Sequence, residues 1–391
     1  MKWKNKGHEF DKIGTNFKKN MMVYIYGAGE NGTNLFYKLG FADCVAGFID
    51  NDSKYKNQMY LGKPVLSIID FLEKKPMDVI IVVTNTSFVG QFMLNQLRQI
   101  GYQEGINLFE VRAFERYYLP IFAMYSWDKL YYSSISITTT FRCNLKCKAC
   151  LAFVPYNKNP QDEDINNIKE SLDLFFKSVD FVDFIDIAGG EPLLYPYLLE
   201  LLIHIGENYR EKINKIFITT NGTIIPSNEI CDLVKKYDYT IKIDDYSLTI
   251  GKRSKIEEIE VKLKNKEVNY LIFRVDNWID LDIKNTDNAH MSETELENYF
   301  IACQQEWPEL FDKKLFYCDY STYAARAGMI ELYDDEAFDL EKVTYEKRME
   351  LFEYGRGYSE KGYVEMCKRC AGYHGINMSS VEAAGQETAG E

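Results

Sequence analysis

Short apolar runs alternate with amphipathic stretches in two parts of this chain. In the first part, apolar runs at residues 22–26, 45–49 and 79–83 predict strands, with helical spacing of apolar residues between them. The second part predicts strands at 135–140, 184–187, 216–222, 239–245 and 270–273, separated by helices at 165–176, 194–205, 229–236 and 256–264. Because strands that alternate with helices form parallel sheets, the pattern predicts an α/β protein with two such sheets.

The domain organisation follows from where this alternation starts and stops. A chain of 391 residues is too long for one ordinary core, so two or three domains are expected. The predicted segments are a polar, Lys-rich and solvated lead-in at 1–20, a small parallel-sheet domain at 21–118, an aromatic linker at 119–133, a partial (βα)6 barrel at 134–285, an α+β domain at 286–378 and a disordered tail of small polar residues at 379–391.

Composition narrows the classes of partner and compartment. The net charge of −13 argues against nucleic acid or an anionic membrane as the main partner. No apolar run approaches the length of a membrane span, and the amino terminus lacks the apolar core of a signal peptide. We therefore expect a cytoplasmic protein. In that compartment, nine cysteines are expected to be metal ligands or reactive thiols rather than disulfides.

A glycine-rich turn follows the first predicted strand. Gly27, Gly29 and Gly32 lie between that strand and a helix, and Asp50 follows the next strand. Glycines at this position let the backbone approach a phosphate at the start of a helix. The segment resembles the small Rossmann-like modules attached to glycan-modifying enzymes, which makes these four residues possible nucleotide-binding residues. Binding of NAD, binding of a nucleotide-sugar and a purely architectural role remain open.

Three cysteines lie within eight residues of the second part, in the pattern C-x-x-x-C-x-x-C. Cys143, Cys147 and Cys150 cannot share one helix face, so the segment is predicted to be a loop around a soft metal centre. The alternatives are a zinc knuckle and three buried free thiols. Zinc is disfavoured because no His follows this loop within fifty residues. With three ligands, a four-iron cluster keeps one iron open for chemistry.

Two further turns are predicted at the same end of the sheet as this loop. Gly189, Gly190, Glu191 and Pro192 follow the strand at 184–187, and Thr219, Asn221 and Gly222 end the strand at 216–222. The carboxyl ends of parallel strands meet at one face, so the loop and both turns are expected to surround one opening. Charged residues near this opening, which are candidate acids and bases, are Lys242, Asp244, Asp245 and Arg274.

These motifs, in this order, resemble the radical S-adenosylmethionine (SAM) enzymes. The resemblance covers roughly residues 133–280. It implies a 4Fe–4S cluster on Cys143, Cys147 and Cys150, whose open iron is chelated by SAM. It also implies SAM contacts from Gly189, Gly190, Glu191, Pro192, Thr219, Asn221 and Asp244. One departure is Ala149, since the family usually has an aromatic residue just before the third cysteine.

Four more cysteines are clustered in the last quarter of the chain. Cys303, Cys318, Cys367 and Cys370 are a full ligand set, and a structural zinc is the simplest interpretation from spacing alone. The pattern also resembles the twitch domain, a shortened SPASM domain of radical SAM enzymes, which holds one auxiliary 4Fe–4S cluster. The remaining cysteines, Cys44 and Cys231, are predicted to be buried apolar residues.

The function implied by the resemblance is hydrogen abstraction from a substrate by a 5′-deoxyadenosyl radical. The auxiliary cluster suits a net oxidation, and the leading module favours a sugar, cyclitol or nucleotide-sugar as the small-molecule substrate. An external one-electron reductant, such as a flavodoxin or ferredoxin, is the implied partner. The alternatives are a sugar epimerase, a peptide-modifying maturase and a non-enzymatic metal-binding scaffold. No general base is assigned.

Overall fold

The computed structural model describes residues 1–55, 58–74, 76–305 and 307–386. By its internal contacts the chain divides into two compact units. The amino-terminal unit consists of His8–Ser133 and Val179–Asp183, and the cysteine unit consists of Met1–Gly7, Ser134–Ser178 and Phe184–Glu391. No helix in the described part of the chain is long and apolar enough to cross a membrane.

The amino-terminal unit is built on a six-stranded sheet. Its strands are β1 (Met22–Tyr26), β2 (Val45–Ile49), β3 (Met59–Tyr60), β4 (Lys63–Leu66), β5 (Val79–Val83) and β6 (Leu108–Glu110), in the order β3-β4-β2-β1-β5-β6. Its helices are α1 (Asp11–Gly14), α2 (Glu30–Lys38), α3 (Ile68–Lys74), α4 (Phe88–Gln99), α5 (Val111–Ala113) and α6 (Leu119–Trp127). All strand pairs are parallel except β3 with β4. All five residues of β5 are buried, as expected for a parallel strand covered on both faces.

Two segments at the edges of this unit were predicted wrongly. The lead-in at 1–20 is folded rather than solvated: it contains α1, and Phe10 and Phe17 are buried. The aromatic linker at 119–133 is mostly the helix α6, in which seven of nine residues are buried. A helix that is apolar on every side has no amphipathic stripe, so periodicity could not reveal it.

The cysteine unit contains an eight-stranded sheet and a two-stranded sheet. Its strands are β7 (Tyr131–Thr140), β8 (Phe181–Gly189), β9 (Ile213–Thr220), β10 (Thr240–Asp245), β11 (Tyr270–Arg274), β12 (Asn277–Ile279), β13 (Glu309–Phe311), β14 (Lys314–Phe316), β15 (Ala337–Asp339) and β16 (Ser380–Glu382). The first three residues of β7 and of β8 belong to the amino-terminal unit. Its helices are α7 (Ile165–Ser178), α8 (Leu198–Asn208), α9 (Asn228–Lys236), α10 (Ser247–Ile250), α11 (Ile256–Lys266), α12 (Glu293–Cys303), α13 (Asp319–Arg326) and α14 (Arg348–Tyr354).

The larger sheet has the order β11-β10-β9-β8-β7-β13-β14-β15. Strands that alternate with helices therefore stand side by side in chain order, which confirms the predicted α/β barrel-like core. In the described residues five such strands are present, because β12 pairs with β16 in the smaller sheet instead of joining β11.

The predicted boundary at residue 285 does not separate two compact units. Strand β13 joins the same sheet beside β7, where Glu309 pairs with Ser136. Arg326 on α13 also forms ion pairs with Glu309 and with Glu163 of the barrel part, at 2.6 and 2.8 Å. Through these contacts the carboxyl-terminal quarter packs against the barrel part within one compact unit.

The carboxyl-terminal tail was predicted to be disordered, and up to residue 386 that prediction is wrong. Strand β16 pairs with β12, and both Ala383 and Ala384 are completely buried. Small residues order here because they pack against Leu145, Cys147 and Tyr246, which are distant in sequence. The rest of the predicted tail, 387–391, lies outside the described residues.

Candidate active site

Three cysteines lie in the loop that follows β7. Cys147 is buried and Cys143 and Cys150 are half-buried, and all three line one cavity of about 280 Å³. Burial raises the pKa of Cys143 to about 11 and that of Cys147 to about 12. As free thiols they therefore stay protonated at neutral pH, whereas a bound metal would hold them as thiolates.

The Gly-Gly-Glu-Pro turn after β8 is joined directly to this loop. The Gly190 amide donates to the carbonyl of Thr140 at 2.7 Å, and the Glu191 amide donates to that of Arg142 at 2.9 Å. A Cβ atom on Gly189 would lie 2.4 Å from the Thr140 oxygen, and one on Gly190 would lie 2.4 Å from the Arg142 oxygen. Only glycine allows two strand ends to approach this closely. The expected proximity of turn and cysteine loop is thus present.

The side chain of Glu191 is fully buried within this turn. Its Oε1 accepts hydrogen bonds from the Thr220 hydroxyl and the Leu193 amide, at 2.8 and 3.1 Å, and its Oε2 accepts one from the Asn221 amide at 2.9 Å. Burial raises the pKa of Glu191 to about 7 despite these donors. Neither Glu191 nor Pro192 is among the described residues that line the cavity. The carboxylate therefore fixes the ends of β8 and β9.

The turn after β9 is tied to the cysteine loop by two side-chain amides. Asn221 Nδ2 donates to Asn144 Oδ1 at 3.0 Å and to Cys143 Sγ at 3.7 Å. Asn144 Nδ2 in turn donates to the Thr223 hydroxyl at 2.7 Å. All three predicted motifs therefore meet at one end of the sheet. Asn144 was not singled out from the sequence, because an Asn between cysteines gives no signal of its own.

Most of the residues that were predicted to bind the cofactor line this cavity. Those that line it together with the three cysteines are Gly189, Gly190, Thr219, Asn221 and Asp244. Lys242 also lines it, with Nζ 3.7 Å from Asp244 Oδ1. The other two charged candidates do not: Asp245 accepts the Ser247 amide at 2.8 Å, and Arg274 pairs with Asp276 on the surface.

Several lining residues were not identified from the sequence. Asp186 on β8 accepts the Thr219 hydroxyl at 2.5 Å, and burial raises its pKa. A signal for it existed, because Asp186 is charged within an apolar strand and alternates in phase with Ala188, which also lines the cavity. Seven further lining residues, six of them aromatic, follow no local pattern: Tyr246, Trp278, Trp307, Asp319, Tyr320, Tyr323 and Tyr373.

The four carboxyl-terminal cysteines also share one cavity. Cys303, Cys318, Cys367 and Cys370 line it, and all but Cys303 are buried in a core of aromatic and aliphatic side chains. The Tyr373 amide donates to Cys303 Sγ and the Gly372 amide donates to Cys370 Sγ, both at 3.2 Å. Backbone N–H donors to sulfur are suited to stabilising thiolates. The four thiols that were predicted to be ligands therefore lie around one cavity.

The two cavities share part of their walls. Tyr320 and Tyr373 line both of them, and their ring centroids are 6.0 Å apart. A direct hydrogen bond also connects them, since Gln305 of the four-cysteine cavity donates to Asp319 of the three-cysteine cavity at 2.7 Å.

Neither cysteine set is arranged around a single ion. Among the residues that the structure describes, no group of three or more His, Cys, Asp or Glu is close enough to hold one metal ion. Zinc would need sulfur atoms at ~2.3 Å from one centre. A four-iron cluster binds each cysteine at a different iron, so its ligands stand farther apart.

The glycine turn of the amino-terminal unit is constructed differently. Its predicted residues Gly27, Gly29, Gly32 and Asp50 lie at the ends of β1 and β2 and in the first turn of α2. Gly27 has a φ of 118°, and a Cβ atom on Gly32 would lie 2.0 Å from the Gly27 oxygen. The Asp50 carboxylate accepts the Ala28 amide at 2.8 Å. Nucleotide binding here stays a prediction.

Comparisons with known proteins show what the barrel part is similar to. Residues 137–260 match the family model of the radical SAM superfamily. The GTP 3′,8-cyclase of Campylobacter jejuni (strain RM1221) is 34% identical over 99 residues, which are 25% of this chain and 29% of that protein. The chain therefore spans less than a third of the length of this curated relative.

Similar solved structures have lower identity. A crystal structure of BtrN in complex with AdoMet and 2-DOIA is 14% identical, with a TM-score of 0.39 over 61% of this chain and 92% of that one. Native anSMEcpe with bound AdoMet is 17% identical, with a TM-score of 0.30 over 50% of this chain and 59% of that one. The family match at 137–260 includes the three loop cysteines and both neighbouring turns.

Proposed function

We propose that this chain is a radical SAM enzyme that oxidises an alcohol of a sugar, cyclitol or nucleotide-sugar to a ketone. In this proposal Cys143, Cys147 and Cys150 hold a 4Fe–4S cluster with one open iron, at which SAM binds. The four carboxyl-terminal cysteines hold a second, fully ligated 4Fe–4S cluster, which accepts an electron. An external flavodoxin- or ferredoxin-like protein supplies the electron that starts each turnover.

The proposed reaction balances as a two-electron oxidation of the substrate. When bound, the first cluster and SAM supply methionine and a 5′-deoxyadenosyl radical in exchange for one external electron. The carbinol carbon of the substrate gives a hydrogen atom to that radical, which forms 5′-deoxyadenosine. The hydroxyl proton passes to a base and the remaining electron passes to the second cluster, so that the C–O bond becomes C=O.

The shared wall between the two cavities is the observation that carries this proposal. Tyr320 and Tyr373 line both cavities, so a substrate in the three-cysteine cavity would share these two side chains with the cavity of the second cysteine set. Electron transfer requires a short path, and it does not require the acceptor to have an open ligand position. A closed second site adjoining the substrate cavity is suited to that role.

The chemistry of the cavity wall supports a polar, hydroxylated substrate. Its aromatic side chains offer flat surfaces for the C–H faces of a ring, and its charged side chains offer partners for hydroxyl groups. Asp186 and Asp244 are carboxyls whose pKa is raised by burial, so either is a stronger base than an exposed carboxylate. These two groups are the candidates for taking the hydroxyl proton.

Epimerisation by a thiol hydrogen donor receives less support. Among the described residues that line the three-cysteine cavity, the only thiols are the three loop cysteines themselves. Cys231 is completely buried on α9 and does not line either cavity in the described part of the chain.

The test is anaerobic reconstitution followed by isotope transfer. Two four-iron clusters predict about eight irons and eight sulfides per chain. Candidate sugars and cyclitols, each deuterated at one carbinol carbon, should transfer deuterium into 5′-deoxyadenosine and yield a ketone. Bound zinc, or SAM cleavage without deuterium transfer from any alcohol tested, would count against the proposal.

A further inference from the structure

The segment at residues 379–386 forms a strap against the three-cysteine loop. Its first part, β16, pairs with β12, and the Ala383 amide donates to the Asp276 carbonyl at 3.0 Å. The Lys148 amide of the loop donates to the Gly385 carbonyl at 2.7 Å, and Cys147 and Gln386 form an antiparallel bridge. The strap is therefore attached to the loop by backbone hydrogen bonds.

Gln386 makes the side-chain contacts between the strap and the loop. Its Oε1 accepts the Lys146 amide at 3.0 Å and Arg253 Nη1 at 2.9 Å. Its Nε2 donates to Cys147 Sγ at 3.3 Å and to the Ala384 carbonyl at 2.7 Å. One amide side chain thus holds the loop backbone and donates to a cysteine sulfur at the same time.

We infer that Gln386 is a positioning residue for the cluster at the three cysteines, and that its hydrogen bond to the Cys147 sulfur makes this cluster easier to reduce. A reduced cluster carries more negative charge on its sulfur ligands, so an N–H donor stabilises the reduced form more than the oxidised form. The inference rests on the cluster site of the proposed function and is independent of the substrate.

Two substitutions distinguish the acceptor role of the Gln386 side chain from its donor role. In Gln386→Glu, an acceptor oxygen remains for Lys146 and Arg253, while the donor to Cys147 is lost and a negative charge is added. In Gln386→Leu, both the acceptor and the donor are lost. Gln91→Glu, at an exposed position on α4 of the amino-terminal unit, is a matched control for the change of charge.

The first measurement is hydrogen–deuterium exchange of the metal-free protein. The Lys146 amide should exchange about tenfold faster in Gln386→Leu and at the wild-type rate in Gln386→Glu, because only the first variant removes its acceptor. The Lys148 amide is an internal reference, since its acceptor is the Gly385 backbone. Faster exchange at both amides in Gln386→Leu also supports the inference, because it means that Gln386 anchors the strap.

The second measurement is the midpoint potential of the SAM-responsive cluster, followed by EPR. Both Gln386 variants should have a lower potential than wild type and Gln91→Glu. A tenfold change in the one-electron equilibrium, expected for loss of one hydrogen bond, is ~59 mV. An unchanged potential in both variants, or unchanged exchange of Lys146 in Gln386→Leu, would overturn the inference. If the wild-type protein binds no cluster at the three cysteines, the proposed function is wrong. The exchange measurement on metal-free protein still tests whether Gln386 holds the Lys146 amide.

Discussion

The two cysteine sites of this protein differ in how they meet their surroundings. The three-cysteine loop borders a cavity of about 280 Å³, together with glycine backbone, carboxylates and one ammonium group. The four-cysteine site lies in a core rich in aromatic side chains, with three of its four thiols buried. A centre that must bind a cofactor and substrate needs free space and polar partners, whereas an electron acceptor needs neither. The contrast supports the proposal that chemistry occurs at the first site and that the second site accepts the electron.

The largest effect is expected from removing a loop cysteine. Cys147→Ala should abolish SAM cleavage, because a cluster with two remaining ligands is not retained. The measurement is 5′-deoxyadenosine formation with dithionite as reductant. Cys231→Ala is the matched control, since Cys231 is also buried but lies outside both cavities in the described structure, and it should retain full turnover. If the Cys147→Ala variant still cleaved SAM, the three-cysteine site could not be the site of SAM cleavage as distinct from the four-cysteine site.

Removing a ligand of the second site should separate two activities. Cys318→Ala is expected to bind about four irons instead of about eight and to keep cleaving SAM. Ketone formation should be lost, because the substrate radical has no electron acceptor. Iron analysis and product analysis on the same sample test this. Full ketone formation in this variant would show that the second site is structural.

An intermediate effect is expected at the polar wall of the first cavity. If Asp244 contacts the cofactor as predicted, Asp244→Asn should raise the KM for SAM about tenfold through loss of one charged hydrogen bond. Asp245→Asn changes the neighbouring carboxylate, which accepts the Ser247 amide outside the cavity, and should leave this KM unchanged. If only the KM for the alcohol rose, Asp244 would contact the substrate and not the cofactor.

The last effect concerns stability rather than activity and comes from Glu191. Its pKa is raised from an ordinary 4.5 to about 7 by burial, so the folded protein binds this proton more tightly than the unfolded chain. The resulting stability is fully present below pH 4.5 and is lost as the pH rises through about 7, by an amount on the order of 3 kcal/mol.

Glu191→Gln carries no titrating proton and should therefore lose this part of the pH dependence. The measurement is the free energy of unfolding of the metal-free protein across that pH range, for wild type and variant. Glu211→Gln, an exposed carboxylate in the same unit, should keep the wild-type slope. Equal slopes for wild type and Glu191→Gln would mean that Glu191 is already charged in the folded protein.

The strand ends of the barrel could be predicted from the sequence because their signal is local. Each turn follows an apolar run, and the order of runs along the chain is also their order in the sheet. The proximity of Gly190 to Thr140 and Arg142 follows from that order alone. What could not be predicted is the reason for the glycines: they allow two backbone segments to meet, in addition to any contact with a cofactor.

The strap and the second wall of the cavity required the structure. Ala383, Ala384 and Gln386 have the composition of a disordered tail. The two alanines pack against Leu145 and Tyr246, and Gln386 forms hydrogen bonds with the cysteine loop. Tyr320 and Tyr373 are positioned between the two cavities by contacts across the carboxyl-terminal quarter. The sequence of that quarter has no periodic pattern of apolar residues. Such long-range packing has no counterpart in local sequence.

The most direct test of the central claim is EPR of the reduced, reconstituted protein with and without SAM. The account predicts two 4Fe–4S signals, of which one changes when SAM binds. The responsive signal should persist in Cys318→Ala and disappear in Cys147→Ala. A SAM-responsive signal that survives Cys147→Ala, or one that is lost in Cys318→Ala while the other remains, would contradict the assignment of an open site and a closed site.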